Sequence, residues 1–285
     1  MSKIITDEAM LRKYIPNVLA TVDDEVPLFD KLSPHLDMAE YWLTENVTGQ
    51  KVLDRIAIDE SDTRFVPVAM FIVSYAFAQA IPSLDLVLTP NGFGIVSNSN
   101  VVPASKERIE RLILSLHAIK SQSLTVLLPL LRADVDWHSS EQCKWLATSI
   151  IQDLNLLTEY GDAKGPYKNN DTDRWGVFLS FRRRTYDIEQ EIANGWLSPQ
   201  LMARLRRCEA TASYSDEEQY LISLIKGLVC TATRTGVLNR QLLDDAVSYI
   251  RSFPNLFPEW HNSETAKLFT PPIFINEKKS GGYFF

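Results

Sequence analysis

The chain has 285 residues, 45% hydrophobic and 23% charged, with a formal net charge of −7. That length and balance allow one large domain or two ordinary ones with a sizeable core and exclude a disordered chain; the acidic balance removes any global field that would draw the protein onto nucleic acid or an anionic membrane. The three cysteines, Cys143, Cys208 and Cys230, form no CxxC pair and no Cys/His cluster, so reduced core thiols are expected, with no disulfide scaffold and no zinc site.

The opening, MSKIITDEAM, lacks the apolar core and cleavage site of a signal peptide. It reads as a helix start, with Thr6 as N-cap and Asp7 and Glu8 in the first turn, where acids favour the helix dipole. A second helix follows Asp23-Asp24-Glu25. Its apolar residues Phe29, Leu32, Leu36, Ala39 and Leu43 step by three and four, which marks one buried stripe. Pro34 leaves open one bent helix or two abutting ones, and Gly49 is the stop signal. From Phe65 to Leu84 there is no charge, which meets the length of a membrane span. Pro67, Ser74, Tyr75, Gln79 and Pro82 dilute it and no basic cluster flanks it, so a central core helix from about Ser61 to Ala80 is expected.

The most sharply punctuated stretch runs from Leu84 to Leu112. Leu84, Leu86 and Leu88 alternate as in a strand, and Asn91-Gly92 is a hairpin turn signal, because both residues accept positive φ. A hairpin over about 84–100 follows, with a second corner at Asn98 to Asn100 and a helix start near Pro103-Ala104-Ser105, Pro103 at its first position. That helix carries Ile109, Leu112, Ile113, Leu116 and Ile119 and continues through Leu131. Beyond a polar corner, a further helix should point Trp145, Leu146, Ile150 and Leu154 inward. Gly161 to Asp173 is the best break in the chain. Helices at Trp175–Ala193, Ser198–Glu209, Ser215–Thr233 and Asn239–Phe253 follow, with Gly195 and Gly236 as stops. Residues 254–285 are rich in proline and aromatics, which predicts an extended arm that docks on its own subunit or a neighbour.

No motif in this chain carries recognisable chemistry. Pro90-Asn91-Gly92-Phe93-Gly94 lacks the spacing of a phosphate loop, and the following helix starts too late to cradle a ligand. His35, His117, His138 and His261 are scattered, and no nucleophile elbow occurs. Asp134-Val-Asp136-Trp-His138 and Asn169-Asn-Asp171-Thr-Asp173 resemble the start of a metal loop, but lack the glycine and the closing acid of a calcium site. Arg182-Arg183-Arg184 and Arg204, Arg206 and Arg207 are basic runs with acids close by, expected on solvated or salt-bridged faces. No enzyme, cofactor or metal is expected.

The string LVLTPNGFGIVSNSNVVPASKERIERL (Leu86 to Leu112), with LRKYIPNVLATVDDEVPLFDKL (Leu11 to Leu32), resembles an uncharacterised Bacteroidetes protein family found in phage and prophage structural gene clusters. The resemblance is closest over the first 120 residues and vague beyond Gly161. It implies a non-enzymatic virion component near the head–tail junction: a head–tail adaptor or connector, or a head-completion subunit. It supplies no catalytic residue. The alternative is a helical adaptor or regulatory protein of the bacterial host cytosol.

The combined expectation is a mainly α protein with two helical subdomains, 1–160 and 174–253, one inserted β-hairpin, and an extended aromatic C-terminal arm over 254–285. Contact residues are expected at the hairpin tip, Pro90, Asn91, Gly92, Phe93 and Gly94, and at the chain end, Tyr283, Phe284 and Phe285. The partners would be further copies of the chain or other virion proteins such as portal and tail components, with neither membrane nor nucleic acid. The protein would be cytoplasmic during assembly and then part of the particle.

Overall fold

The computed structural model describes residues 2–15, 26–84, 86–89, 92–95, 105–158 and 173–270, the two short strands by backbone alone. The fold is mainly helical. Helix α1 (Glu8–Tyr14) is capped by Asp7, one residue later than the sequence suggests, because the Asp7 carboxylate accepts the Met10 amide at 2.8 Å. Helix α2 (Leu28–Leu43) buries Leu32, Leu36, Ala39 and Leu43 and runs through Pro34 as one helix. After α3 (Gln50–Ile58), helix α4 (Phe65–Ala80) fills the centre of the first core, with Val68, Phe71, Ile72 and Ala76 fully buried. Residues 65–83 and 106–132 are both long and apolar enough to cross a membrane. In this fold α4 is covered by α1, α2 and α5, which accounts for its lack of charge.

Strands β1 (Leu86–Thr89) and β2 (Gly92–Ile95) pair antiparallel, Leu86 opposite Ile95 and Thr89 opposite Gly92. Gly92 is therefore a paired residue, not half of the turn; the two residues between the strands are Pro90 and Asn91, outside the described ones. Pro103 also lies outside them. Helix α5 (Lys106–Arg132) begins after Ser105, so Pro103 is not its first residue.

Helix α6 (Glu141–Leu146) stops well short of Leu154. Ile150 and Leu154 are buried as expected but lie on irregular chain, because the Ile150 amide is claimed by the distant carboxylate of Glu189 instead of a helical carbonyl. Helices α7 (Arg174–Ile192), α8 (Pro199–Ala210), α9 (Asp216–Thr235) and α10 (Arg240–Ser252) follow their sequence signals closely. Ser215 and Glu218 form a reciprocal capping box at α9, and Gly236 closes it in the left-handed region. Gly195 does not stop α7. It sits inside a π-helical turn, Ala193–Leu197, and the positive φ falls on Ser198.

The expected arm is a correction. Residues 254–270 are not extended: they form α11 (Pro258–His261) and α12 (Glu264–Leu268), with Pro258 as a helix-starting proline and Ser263 capping the Ala266 amide. Phe257 and Trp260 are thereby buried against the second core. Two apolar cores result, and they cross the expected 160/174 boundary in both directions. Trp175 and Phe178 of α7 enter the first, while Ile150, Ile151 and Leu157 enter the second.

The two cores are built on one repeated plan. In the first, buried Glu40 accepts the Ser2 hydroxyl at 2.5 Å and the Lys3 amide at 2.9 Å. In the second, buried Glu189 accepts the Ser149 hydroxyl at 2.6 Å and the Ile150 amide at 3.0 Å. Each glutamate is followed at the same spacing by a five-residue π-helical turn, Thr44–Thr48 or Ala193–Leu197, and then by a residue at positive φ, Gly49 or Ser198. A tryptophan indole then ties that turn down: Trp137 donates to the Val47 carbonyl and Trp260 to the Trp196 carbonyl. The chain around each tryptophan matches too, Trp137-His-Ser-Ser-Glu-Gln-Cys-Lys144 against Trp260-His-Asn-Ser-Glu-Thr-Ala-Lys267. In both, the histidine Nε2 donates to a carbonyl near the end of the preceding long helix, Arg132 or Ile250, and the serine three residues after the tryptophan caps a short helix. Thus α2, α3, α4, α5 and α6 correspond to α7, α8, α9, α10 and α12.

Glu189 is fully buried and also accepts from Arg206 Nε at 2.7 Å. Burial pushes its carboxyl above the usual range, against the pull of Arg206, Ser149 and Ile150. Replacing it by alanine strands Arg206 and two donors in the core, a loss of about 3–5 kcal/mol. Urea denaturation of Glu189→Ala should show that loss in the second core; a change below about 1 kcal/mol would remove the staple role assigned to this residue.

Candidate interaction site

The expected contact residues are only partly placed. Gly92, Phe93 and Gly94 lie on β2 opposite Thr89, Leu88 and Val87. Pro90, Asn91, Tyr283, Phe284 and Phe285 lie outside the described residues, so the hairpin tip and the chain end are not brought together among those described. The repeat gives the hairpin a different significance. Helices α9 and α10 are joined by residues 236–239 alone, whereas α4 and α5 are separated by residues 81–105. The hairpin is an insertion present in the first unit and missing from the second.

Helices α4 and α5 leave an apolar groove of about 540 Å³, walled by Val66, Pro67, Met70, Ala118, Ile119 and Val126. Val66 and Val126 are about half exposed. The sequence hides this feature, because α4 is apolar nearly all round and no residue type separates its outer strip from its core face. Arg174 stands at one end of the groove, its backbone amide on the Ser121 hydroxyl at 3.1 Å.

The densest side-chain constellation is the junction between the two units. The first two turns of α7 lie across α6 and the end of α2. Trp175 meets Trp42 edge-on at 5.7 Å and Trp145 at 5.8 Å, and Phe178 meets Trp145 at 6.2 Å. Arg182 stacks its guanidinium 3.6 Å from the Trp145 ring centre and donates to the Trp145 carbonyl and the Thr148 hydroxyl. Burial lowers the Arg182 pKa to about 10, which leaves it charged at neutral pH. The run Arg182–Arg184 therefore divides: Arg182 is a clamp between units, while Arg183 and Arg184 face solvent. Arg132 reinforces the junction through Glu209 at 2.5 Å, which Lys226 also holds. A residual cleft of about 280 Å³ remains between Glu45, Glu141, Gln142, Trp145, Trp175 and Leu179.

Two of the acids that resemble a metal loop, Asp134 and Asp136, serve as ion-pair partners. Asp134 binds Arg55 and Arg64, and Asp136 binds Arg55 and, at 3.0 Å, Lys51, which fixes the corner after α5 to α3 and to the start of α4. Asp173 caps α7. Among the described residues no cluster of His, Cys, Asp and Glu has the makings of a metal site. Arg204 pairs with Glu218 and Glu259, and Cys143, Cys208 and Cys230 form no disulfide.

A family model described as a family of unknown function, DUF6712, matches residues 15–146, a stretch that covers α2 to α6 and stops where the first unit ends. No curated protein and no solved structure matches the chain.

One titratable group beside this region gives a measurable signature. Burial, with Lys120 nearby and Asp173 opposing, lowers the His117 pKa to about 4. The folded value lies below the unfolded one of 6.5, so the unfolded chain takes up the proton first and stability falls as pH drops from 6.5 towards 4. A ring titration by NMR should find His117 neutral at pH 5.5, and His117→Gln should flatten the decline of the melting temperature with acid. An observed pKa at or above 6.5 would contradict the placement of this ring.

Proposed function

We propose that the protein is a non-enzymatic structural subunit of a prophage particle, serving as a head–tail adaptor or connector or as a head-completion subunit. The reading starts from the resemblance of Leu11–Leu32 and Leu86–Leu112 to a family of phage structural gene clusters. One structural observation favours assembly over chemistry: where the buried polar groups are spent. Glu40 and Glu189 are filled by serine hydroxyls and backbone amides, and the Trp137 and Trp260 indoles by backbone carbonyls. Catalytic acids and bases need an open position towards a substrate. Here those groups hold two copies of a helical unit in shape.

In this reading the chain works by contact. The inserted hairpin distinguishes one unit from the other and reaches a neighbouring subunit or the portal, and residues 271–285 supply a second contact. The protein assembles in the cytoplasm and ends in the particle. Light scattering and electron microscopy of the purified chain, alone and mixed with the portal and tail proteins of its own gene cluster, check the proposal. A stable complex with one of them is expected. A chain that stays monomeric and ignores all of them would overturn it.

A further inference from the structure

We infer that the exposed face of α12 receives a second copy of this chain, which lays the start of its own α2 there as α7 lies on α6 within one chain. The inference rests on the assembly reading for its biological use and adds the surface and the partner to it.

The argument comes from the repeated plan. In the first unit, the face made by the π-helical turn Thr44–Thr48 and α6 is covered by the next unit's leading helix, through Trp175, Phe178 and Arg182. The second unit owns the same face. Asn194 stands where Glu45 stands, and Glu264, Thr265 and Leu268 stand where Glu141, Gln142 and Trp145 stand. Even the bond that shapes it recurs: Gln142 donates to the Glu45 carbonyl and Thr265 to the Asn194 carbonyl. Among the described residues nothing lies over this second face. Leu268 is 72% exposed, against 37% for Trp145, and the cleft measures about 950 Å³ where the covered one measures about 280 Å³.

The matching helix is also in the chain. Helix α2 corresponds to α7 through Glu40 and Glu189, so Phe178 and Leu179 have their counterparts in Phe29 and Asp30, and Val26, level with Trp175 in sequence, lies just ahead of α2 before its cap Pro27. Val26 is 58% exposed and Phe29 half-buried. The receiving face carries Leu268 in place of Trp145. Such a contact joins unlike surfaces, head to tail. It therefore closes into a ring or runs on as a filament, according to the rotation between copies.

The test uses the full chain. Trp145 and Trp175 touch within one chain, so their counterparts Leu268 and Val26 should touch between chains. Chains carrying Leu268→Cys are mixed with chains carrying Val26→Cys and treated with a short bifunctional maleimide, since two indole rings in contact hold their Cβ atoms farther apart than a disulfide spans, and the linked residues are read by mass spectrometry. Chains carrying Ile58→Cys, 86% exposed on α3, and the unaltered chain serve as controls. A cross-link between positions 26 and 268, well above both controls, is expected. In parallel, Leu268→Asp, an exposed change that leaves circular dichroism unchanged, should weaken self-association by roughly tenfold or more, as loss of a central apolar anchor does. Absence of the 26–268 link or unaltered self-association of Leu268→Asp would overturn the inference. If the chain still bound portal or tail proteins, the assembly reading would stand without it; the link without such binding would have the opposite meaning.

Discussion

A buried glutamate that accepts hydrogen bonds from an incoming Ser-containing segment is the constraint on which both halves of this protein depend. An unpaired carboxylate in a core is costly, and so is a strand-like segment whose amides find no partner. Glu40 and Glu189 solve both problems at once by taking a serine hydroxyl and the amide after it. The bond fixes where the chain enters each unit. It also explains why the stretch after α6 leaves the helical path: Ile150 gives its amide to Glu189, and the helix ends four residues earlier.

From that anchor the remaining geometry follows in order. The π-helical turn after each glutamate-bearing helix swings the next helix away. The turn is held open by a residue at positive φ, glycine in one unit and serine in the other, and pinned by a tryptophan indole. Serine at φ +79° carries strain that glycine avoids, and its hydroxyl returns part of it by capping the Leu201 amide. Two units made this way meet through α7, whose aromatic start serves both cores. The first unit's end face is closed by its successor, while among the described residues nothing covers the second unit's equivalent face.

Much of the architecture is legible in particular residues. The three-and-four spacing of Leu32, Leu36, Ala39 and Leu43, the uncharged run of α4, and the caps at Ser215 and Gly236 each identify their element, because local propensity and burial agree there. The duplicated Trp-His-x-Ser-Glu-x-x-Lys string at 137 and 260 was equally open to view in the sequence. It is the signal that would have revealed the repeat and removed the extended arm over 254–270. The difference between the two end faces was less legible. Leu268 and Trp145 are apolar residues on short helices, and no pattern of types says that Trp145 packs against α7 while Leu268 is mostly exposed.

The sequence by itself determined a mainly helical chain, the positions of its long helices and the punctuated segment between α4 and α5, since periodicity, caps and turn residues act over a few neighbours. Tertiary structure decided the rest: that Ile150 bonds to a carboxylate instead of continuing a helix, that residues 254–270 fold onto the second core, and that α7 belongs to two cores at once. Those outcomes depend on partners distant in the chain, Glu189 for Ile150, Trp196 for Trp260 and Trp42 for Trp175, which no local pattern can report.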